Sequence, residues 1–263
     1  MQVAVITGGA SGIGEGLARQ AVARGMQVVL ADRDAPGLAR VAEELGATVL
    51  PVVTDVTRAE ALQALADQTY AAFGQVDLLF NNAGVLSTGR CWELGDAQWQ
   101  LAWQVNVNGI VNGLRAFVPR LLAAQRPARI VNTASVGGFL PSPLMGPYST
   151  TKFAVVALTE CLAGELAALD TRIRVSLLAP GPVKTRIFRE TPAAASEDFH
   201  QQMQQLLAHN GLDSDSFAQR VFEAIDQDQY WIVPQPEMFD PLLEQRHAMI
   251  ASRSHPDFSW TPR

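Results

Sequence analysis

Tyr148 and Lys152 stand four residues apart in the run Gly-Pro-Tyr148-Ser-Thr-Thr-Lys152-Phe, where a helical pattern begins. That spacing puts both side chains on one helix face, about 5–6 Å apart at Cβ. An ammonium near a phenol stabilises the phenolate and draws its pKa down from about 10 toward neutrality. A tyrosine so placed can serve as general acid or base. Taken alone, the pair also fits a surface lysine beside a half-buried tyrosine, so its weight depends on what else the chain carries.

A second constellation lies near the N-terminus. An apolar strand runs into Thr7-Gly8-Gly9-Ala10-Ser11-Gly12-Ile13-Gly14, and a helix follows. Glycines at such a turn allow positive φ and let the backbone approach a ligand closely. The helix start then presents free N–H groups and a positive dipole end to a phosphate, with Ser11, Gly12 and Ile13 at the contact. The spacing Gly-x-x-x-Gly-x-Gly departs from the Gly-x-Gly-x-x-Gly dinucleotide fingerprint. A tight strand-to-helix turn without a ligand is the plainer reading. Asp32 closes the second strand, where a carboxylate can accept hydrogen bonds from adenosine ribose hydroxyls and repel a 2′-phosphate. This favours NAD. Arg33 beside it could instead favour NADP, although Ser11-Gly12 supplies no basic residue to help hold the phosphate.

Short apolar runs alternate with longer helical patterns from the first residue. The pattern predicts strands at 2–7, 27–32, 48–53, 76–81, 129–134 and 172–179. Helices are predicted at 14–25, 36–45, 58–73, 96–123 and 148–169. The strands are rich in Val, Ile and Leu with little alternation, as expected when both sheet faces are covered. Thr57-Arg-Ala-Glu60 reads as a capping box, and Gly25 and Gly46 as helix stops. The order predicts an α/β fold with a doubly wound parallel sheet and helices on both faces. Past Pro180 the pattern changes to an irregular stretch with a Gln-rich helical segment, a helix at 213–227, a short strand at 229–233 and a helix at 239–250. The last dozen residues read as an irregular tail. With no linker, repeat or low-complexity block, the chain reads as one domain. Residues 1–180 form its core and 184–263 a lid, short strand and C-terminal helix.

Composition narrows the function classes. At 263 residues and 48% hydrophobic, the chain can bury a sizeable core. A net charge of −6 argues against nucleic-acid or anionic-membrane surfaces. No apolar run reaches the roughly 18 residues of a bilayer span. The N-terminus opens almost directly on a strand, which argues against a cleaved signal and for a cytoplasmic protein. Cys91 and Cys161 lack metal-ligand spacing and four scattered histidines form no cluster, so no metal is expected.

Together these residues resemble the short-chain dehydrogenase/reductase family across roughly residues 2–190. Its Thr-Gly-x-x-x-Gly-x-Gly motif is matched at Thr7–Gly14, and its Asn-Asn-Ala-Gly signature at Asn81, Asn82, Ala83 and Gly84. The resemblance implies a Rossmann fold and hydride exchange between a nicotinamide and a carbinol carbon. It implies that Asp55 and Val56 touch the adenine. Pro180, Gly181, Val183 and Thr185 would hold the nicotinamide carboxamide. The same resemblance makes Asn106 the asparagine that holds a water linking Lys152 to solvent. It makes Ser135, 13 residues before Tyr148, the group that holds the substrate oxygen.

A small alcohol or ketone is the expected substrate, with a wall from Trp92, Gly137, Phe139, Met145 and Phe188, aided by Leu140 and Ile187. These side chains are mostly apolar, which suits a hydrophobic secondary alcohol, although several could simply fill core. Arg186 and Arg189 could meet an anion but are more often solvated on a lid. Many family members end in Asp-Gly-Gly, which packs across a tetramer interface; here the stretch reads Tyr230-Trp-Ile-Val-Pro234. A homodimer through the long helices or a homotetramer both remain open. A nicotinamide-sensing regulator without catalysis, and an epimerase or dehydratase of the same fold, are the rival readings. The first is disfavoured because Tyr, Lys and Ser are all present, the second by the short C-terminal part.

Overall fold

The computed structural model describes residues 1–189 and 191–258. Residues 259–263 of the expected tail lie outside the described residues. Among the described residues there are seven strands: β1 (Val3–Thr7), β2 (Gln27–Asp32), β3 (Val49–Val53), β4 (Leu78–Asn81), β5 (Ala128–Thr133), β6 (Ile173–Leu178) and β7 (Trp231–Ile232). They pair in parallel in one sheet, in the order β3-β2-β1-β4-β5-β6-β7. The α-helices are α1 (Gly12–Ala23), α2 (Ala35–Leu45), α3 (Ala59–Phe73), α4 (Asp96–Ala102), α5 (Gly109–Ala124), α6 (Gly146–Ala168), α7 (Glu197–Asn210), α8 (Ser214–Asp226) and α9 (Pro236–Ser252).

Successive strand residues point to opposite faces, so β1 feeds two cores at once. Ala4 and Ile6 join Leu17 of α1, Leu38 of α2 and Phe217 and Phe222 of α8. Val5 joins Leu62 and Leu65 of α3, Phe117 of α5 and Leu162 of α6 on the other face. All five β1 residues are buried, which explains why the strand shows no polar alternation. The order reverses direction between β1 and β4, and the helices that follow them, α1 and α5, pack on opposite faces of the sheet. In open parallel sheets such a point is where ligands bind.

The expected elements form, with instructive differences. The stretch predicted as one helix over 96–123 is helical throughout, but Trp103–Asn108 is wound as a π-helix between α4 and α5. Wider turns of this kind are frequent at functional sites, and Asn106 sits in this one. The capping box at Thr57 does not form. Asp55 captures both the Thr57 N–H and its hydroxyl, at 3.0 and 2.8 Å, and Arg58 precedes α3 without a side-chain cap. The Gln-rich stretch becomes α7 after a 3₁₀ turn at Ala194–Ser196. Helix α9 begins three residues earlier than expected, since Pro236 suits a helix's first position.

A buried polar ladder ties the sheet to α6. Asn81 Nδ2 donates to Asn132 Oδ1 at 2.9 Å, and Asn132 Nδ2 donates to Thr159 Oγ1 at 3.2 Å. Gly113 of α5 lies against this ladder, and a Cβ there would overlap Asn81 Oδ1. Gly113→Ala is therefore expected to lower stability by about 1–3 kcal/mol, the usual cost of overpacking. A urea unfolding midpoint equal to that of the unmodified protein would refute this account of the contact.

Candidate active site

Strand β1 hands the chain to Gly8 at φ +70° and Gly12 at φ +58°, conformations that favour glycine. A Cβ on Gly8 would lie 2.9 Å from Ala83 Cα, and one on Gly14 would overlap the Gly8 carbonyl. Side-chain-free backbone thus forms this end of an open cleft. Ser11 precedes α1 without capping it, and Ser11, Gly12, Ile13 and Gly14 line the cleft wall. The first turn of α1, with its unpaired N–H groups and positive dipole end, fits a phosphate there.

Asp32 braces this turn while lining the same cleft. Its Oδ2 accepts from Ala10 N at 3.1 Å, and its Oδ1 accepts from Asp34 N at 3.1 Å. Arg33 is exposed at the rim beside it. Behind the turn, Arg40 donates to the Ala10 carbonyl at 3.2 Å and is paired with Glu15 at 2.8 Å. Asp55 and Val56 line the next stretch of wall, with the Val56 carbonyl held by Asn112 Nδ2 at 3.0 Å.

The opposite wall comes from the ends of β4, β5 and β6. Asn82 N donates to Thr7 Oγ1 at 2.9 Å, and Asn82 Nδ2 donates to the Thr7 carbonyl at 3.0 Å. Ala83 and Gly84 follow on the cleft surface, as do Pro180, Gly181, Val183 and Thr185. The Thr185 methyl sits 3.0 Å from where a Gly12 Cβ would stand, so this segment closes onto the glycine turn. Every residue expected to touch a dinucleotide therefore lines one cleft.

Ser135, Tyr148 and Lys152 meet at its far end. Ser135 Oγ accepts from Gly137 N at 3.1 Å, lies 3.4 Å from the Pro180 carbonyl, and hydrogen-bonds the Tyr148 phenol. Gly137 admits this contact, because a Cβ there would press on the tyrosine ring at 3.3 Å. Lys152 is buried; its Nζ donates to the Thr133 carbonyl at 2.8 Å and lies 5.6 Å from the Tyr148 ring centroid.

The electrostatics correct the expected order of effects. Burial pushes the Tyr148 phenol above its ordinary value, and the Ser135 hydrogen bond pulls the other way. Burial alone lowers the Lys152 ammonium from 10.5 to about 8. Desolvation is the larger influence on the phenol, and the Lys152 amine points at the Thr133 carbonyl.

Asn106, fully buried, does not reach the cleft surface. Its Oδ1 accepts from Val85 N at 2.8 Å, while Nδ2 donates to the Val85 carbonyl and to Thr151 Oγ1, each at 3.0 Å. This side-chain amide latches the Gly84–Val85 turn against α6.

Two expected substrate-wall residues lie elsewhere. Trp92 is 80% exposed, its ring facing Arg90 rather than the cleft. Phe139 packs edge-on against Trp231 and Phe239 beneath β7, where it fills core. Met145 and Phe188 are buried in an apolar cluster with Leu86, Phe199 and Leu207, onto which Tyr148 and Ile187 pack. Leu86, Phe199 and Leu207 were missed from the sequence. The spacing Phe199, Met203, Leu206, Leu207 at intervals of four, three and one is an apolar helix face that could have revealed two of them. His200, also missed, fixes α7 from inside: Nε2 meets the Phe188 carbonyl at 2.9 Å and Nδ1 meets Thr88 Oγ1 at 3.3 Å.

Among the described residues no group of His, Cys, Asp or Glu could hold a metal ion, and no helix is long and apolar enough to cross a membrane.

A family model described as short chain dehydrogenase matches residues 2–196. The C alpha-dehydrogenase of Sphingobium sp. is 35% identical, over 95% of this chain and 86% of that protein. The CLA biosynthesis dehydrogenase/reductase of Lactiplantibacillus plantarum is 32% identical, over 97% of this chain and 95% of that one. The crystal structure of a short chain dehydrogenase/reductase from Burkholderia phymatum in complex with NAD is similar at TM-score 0.93 and 38% identity, covering 97% of this chain and 96% of that chain.

The buried amine generates a pH signature. Between pH 8 and 10.5 the unfolded lysine still binds its proton while the folded one has lost it, so stability rises with pH across that window. Relative to Lys152→Met, the unmodified protein should gain on the order of 3 kcal/mol from pH 8 to 10.5. Parallel urea-derived stabilities for the two proteins across that range would contradict the burial argument.

Proposed function

The chain belongs to the short-chain dehydrogenase/reductase family of oxidoreductases, and from that membership we propose that it interconverts a hydrophobic secondary alcohol and its ketone with a nicotinamide dinucleotide. The observation that carries the reading is the placement of Ser135, Tyr148 and Lys152 at one end of the cleft whose other end is the glycine turn. An apolar cluster packs on the tyrosine. The glycine cradle and the Asp32 carboxylate fit a dinucleotide without a 2′-phosphate, so NAD is the favoured coenzyme. Exposed Arg33 at the rim supports NADP as the second reading.

When bound, the coenzyme supplies a ring carbon that accepts or donates hydride. The chain supplies position and protons. Ser135 Oγ holds the substrate oxygen within reach of the phenol, and Tyr148 removes the alcohol proton in oxidation or donates it in reduction. The Thr133 carbonyl fixes the Lys152 ammonium beside the tyrosine ring, where its charge favours the phenolate as the site becomes occupied. Asn106 keeps the Val85 turn in place behind that ammonium. Phe188, Met145 and Leu86 exclude water and receive the apolar part of the substrate.

Tyr148→Phe should lower turnover by at least about a thousandfold, in line with loss of a general acid/base, while coenzyme affinity is kept. Steady-state rates with a panel of aliphatic, aryl and steroid alcohols, beside a fluorescence titration with coenzyme, test this; near-normal turnover by the variant would remove the tyrosine from the chemistry. Asp32→Ala should move the ratio of kcat/KM values toward NADP⁺ by about tenfold, the size of one lost charge-assisted hydrogen bond. A preference for NADPH already present in the unmodified protein would show that Arg33 outweighs Asp32.

A further inference from the structure

Gln235 lies outside residues 2–196, where the family model ends, yet it reaches the back of the cleft. It follows β7 and opens α9, accepting from Met238 N at 3.3 Å and Phe239 N at 3.2 Å through its own carbonyl. The residue is buried, at 5% exposure. Nε2 donates to the Pro182 carbonyl at 3.0 Å, while Oε1 is buried without a hydrogen-bond partner. The amide cannot be reversed, because that would set oxygen against oxygen at Pro182. The Pro182 carbonyl also accepts from Leu212 N at 3.1 Å, so two donors from two later segments fix one peptide.

The neighbouring Gly181 belongs to the cleft wall. A Cβ there would lie 2.7 Å from Gln235 Oε1 and 3.0 Å from Met238 Cε, so the glycine is what lets Gln235 come this close. Gln235 is in turn held in place. Arg220 Nη1 donates to the preceding Pro234 carbonyl at 2.6 Å, and Phe239 packs edge-on against Phe139 at 5.4 Å between centroids. A buried amide with its oxygen unpaired is a poor choice for filling space, since an apolar side chain of the same length would avoid that cost. The bond to Pro182 is what the position requires of it.

We propose that Gln235 is a positioning residue for the turn Pro180–Val183, fixing the Pro182 peptide so that Val183 and Thr185 meet the carboxamide of the bound nicotinamide. The inference rests on the dinucleotide reading above. It makes the C-terminal segment, where Pro234-Gln235 stands after β7, part of coenzyme recognition. No bond to the substrate is involved, so Gln235 acts through the turn alone.

The test compares affinities of the full chain for NAD⁺ and for its acetylpyridine analogue, in which a methyl replaces the carboxamide NH₂. Gln235→Met keeps the length and removes the donor. It should weaken NAD⁺ about fivefold, as expected for one hydrogen bond felt through the turn, and the analogue by less than about twofold. Gln235→Leu, which also removes the donor and brings no charge into the buried site, should show the same loss of selectivity and serves if the first variant folds poorly. Equal weakening of both ligands, or no weakening of either, overturns the proposal. If the unmodified protein binds neither NAD⁺ nor NADP⁺, the coenzyme reading itself falls and takes this inference with it. Binding by the unmodified protein with unchanged selectivity in the variants removes only the role of Gln235.

Discussion

The Thr7 hydroxyl, accepting the N–H groups of Asn82 at 2.9 Å and Ala83 at 3.2 Å, holds together the two turns between which the cleft opens. It also lies 3.3 Å from the Phe80 carbonyl, to which it donates, so one side chain serves three backbone groups at the C-terminal ends of β1 and β4. With the turns locked, Gly8 and Ala83 come into backbone contact, and no room is left for a side chain at Gly8 or Gly14. The glycines are the consequence of that approach, and the cleft floor is made of backbone because of it. Asp32 and Arg40 then fix the Ala10 peptide from its two ends, through the N–H and the carbonyl respectively.

Burial is the second constraint, and it sets the character of the reactive end. Lys152 is removed from water by the same packing that orients it, and its partner is a neutral carbonyl. An ammonium so placed loses hydration without gaining an anion, which lowers its pKa. Tyr148 suffers the matching penalty on its phenolate. Desolvation therefore favours the neutral form of both groups, the protonated phenol and the free amine.

The apolar cluster over Tyr148 is assembled from distant segments: Leu86 after β4, Met145 before α6, Phe188 after β6, and Phe199 and Leu207 on α7. His200 and Ser196 anchor α7 to Thr88 from within, with Ser196 Oγ 3.1 Å from Thr88 Oγ1. A cluster built this way can change by substitution on α7 without disturbing the sheet. The exposed position of Trp92 and the core position of Phe139 show why apolar residues near a reactive serine in sequence need not face it.

The parallel sheet, the glycine turn, the acid ending β2 and the Tyr148–Lys152 pair were legible in the chain itself, since each depends on local order: strand apolarity, φ freedom, helical spacing. Asp55, Val56, Pro180, Gly181, Val183 and Thr185, which line the same cleft, were picked out by the family resemblance rather than by their own local chemistry. What only the tertiary structure decided are the long-range terms. The direction in which the Lys152 amine points, the engagement of the Asn106 amide by Val85 and Thr151, and the approach of Gln235 to Pro182 join residues 19 to 53 positions apart. The failed capping box has a local cause instead, since Asp55, two residues before Thr57, takes both its N–H and its hydroxyl. Motif spacing encodes which groups can meet; desolvation and competition among hydrogen-bond partners, which depend on the whole packed chain, select which of them do.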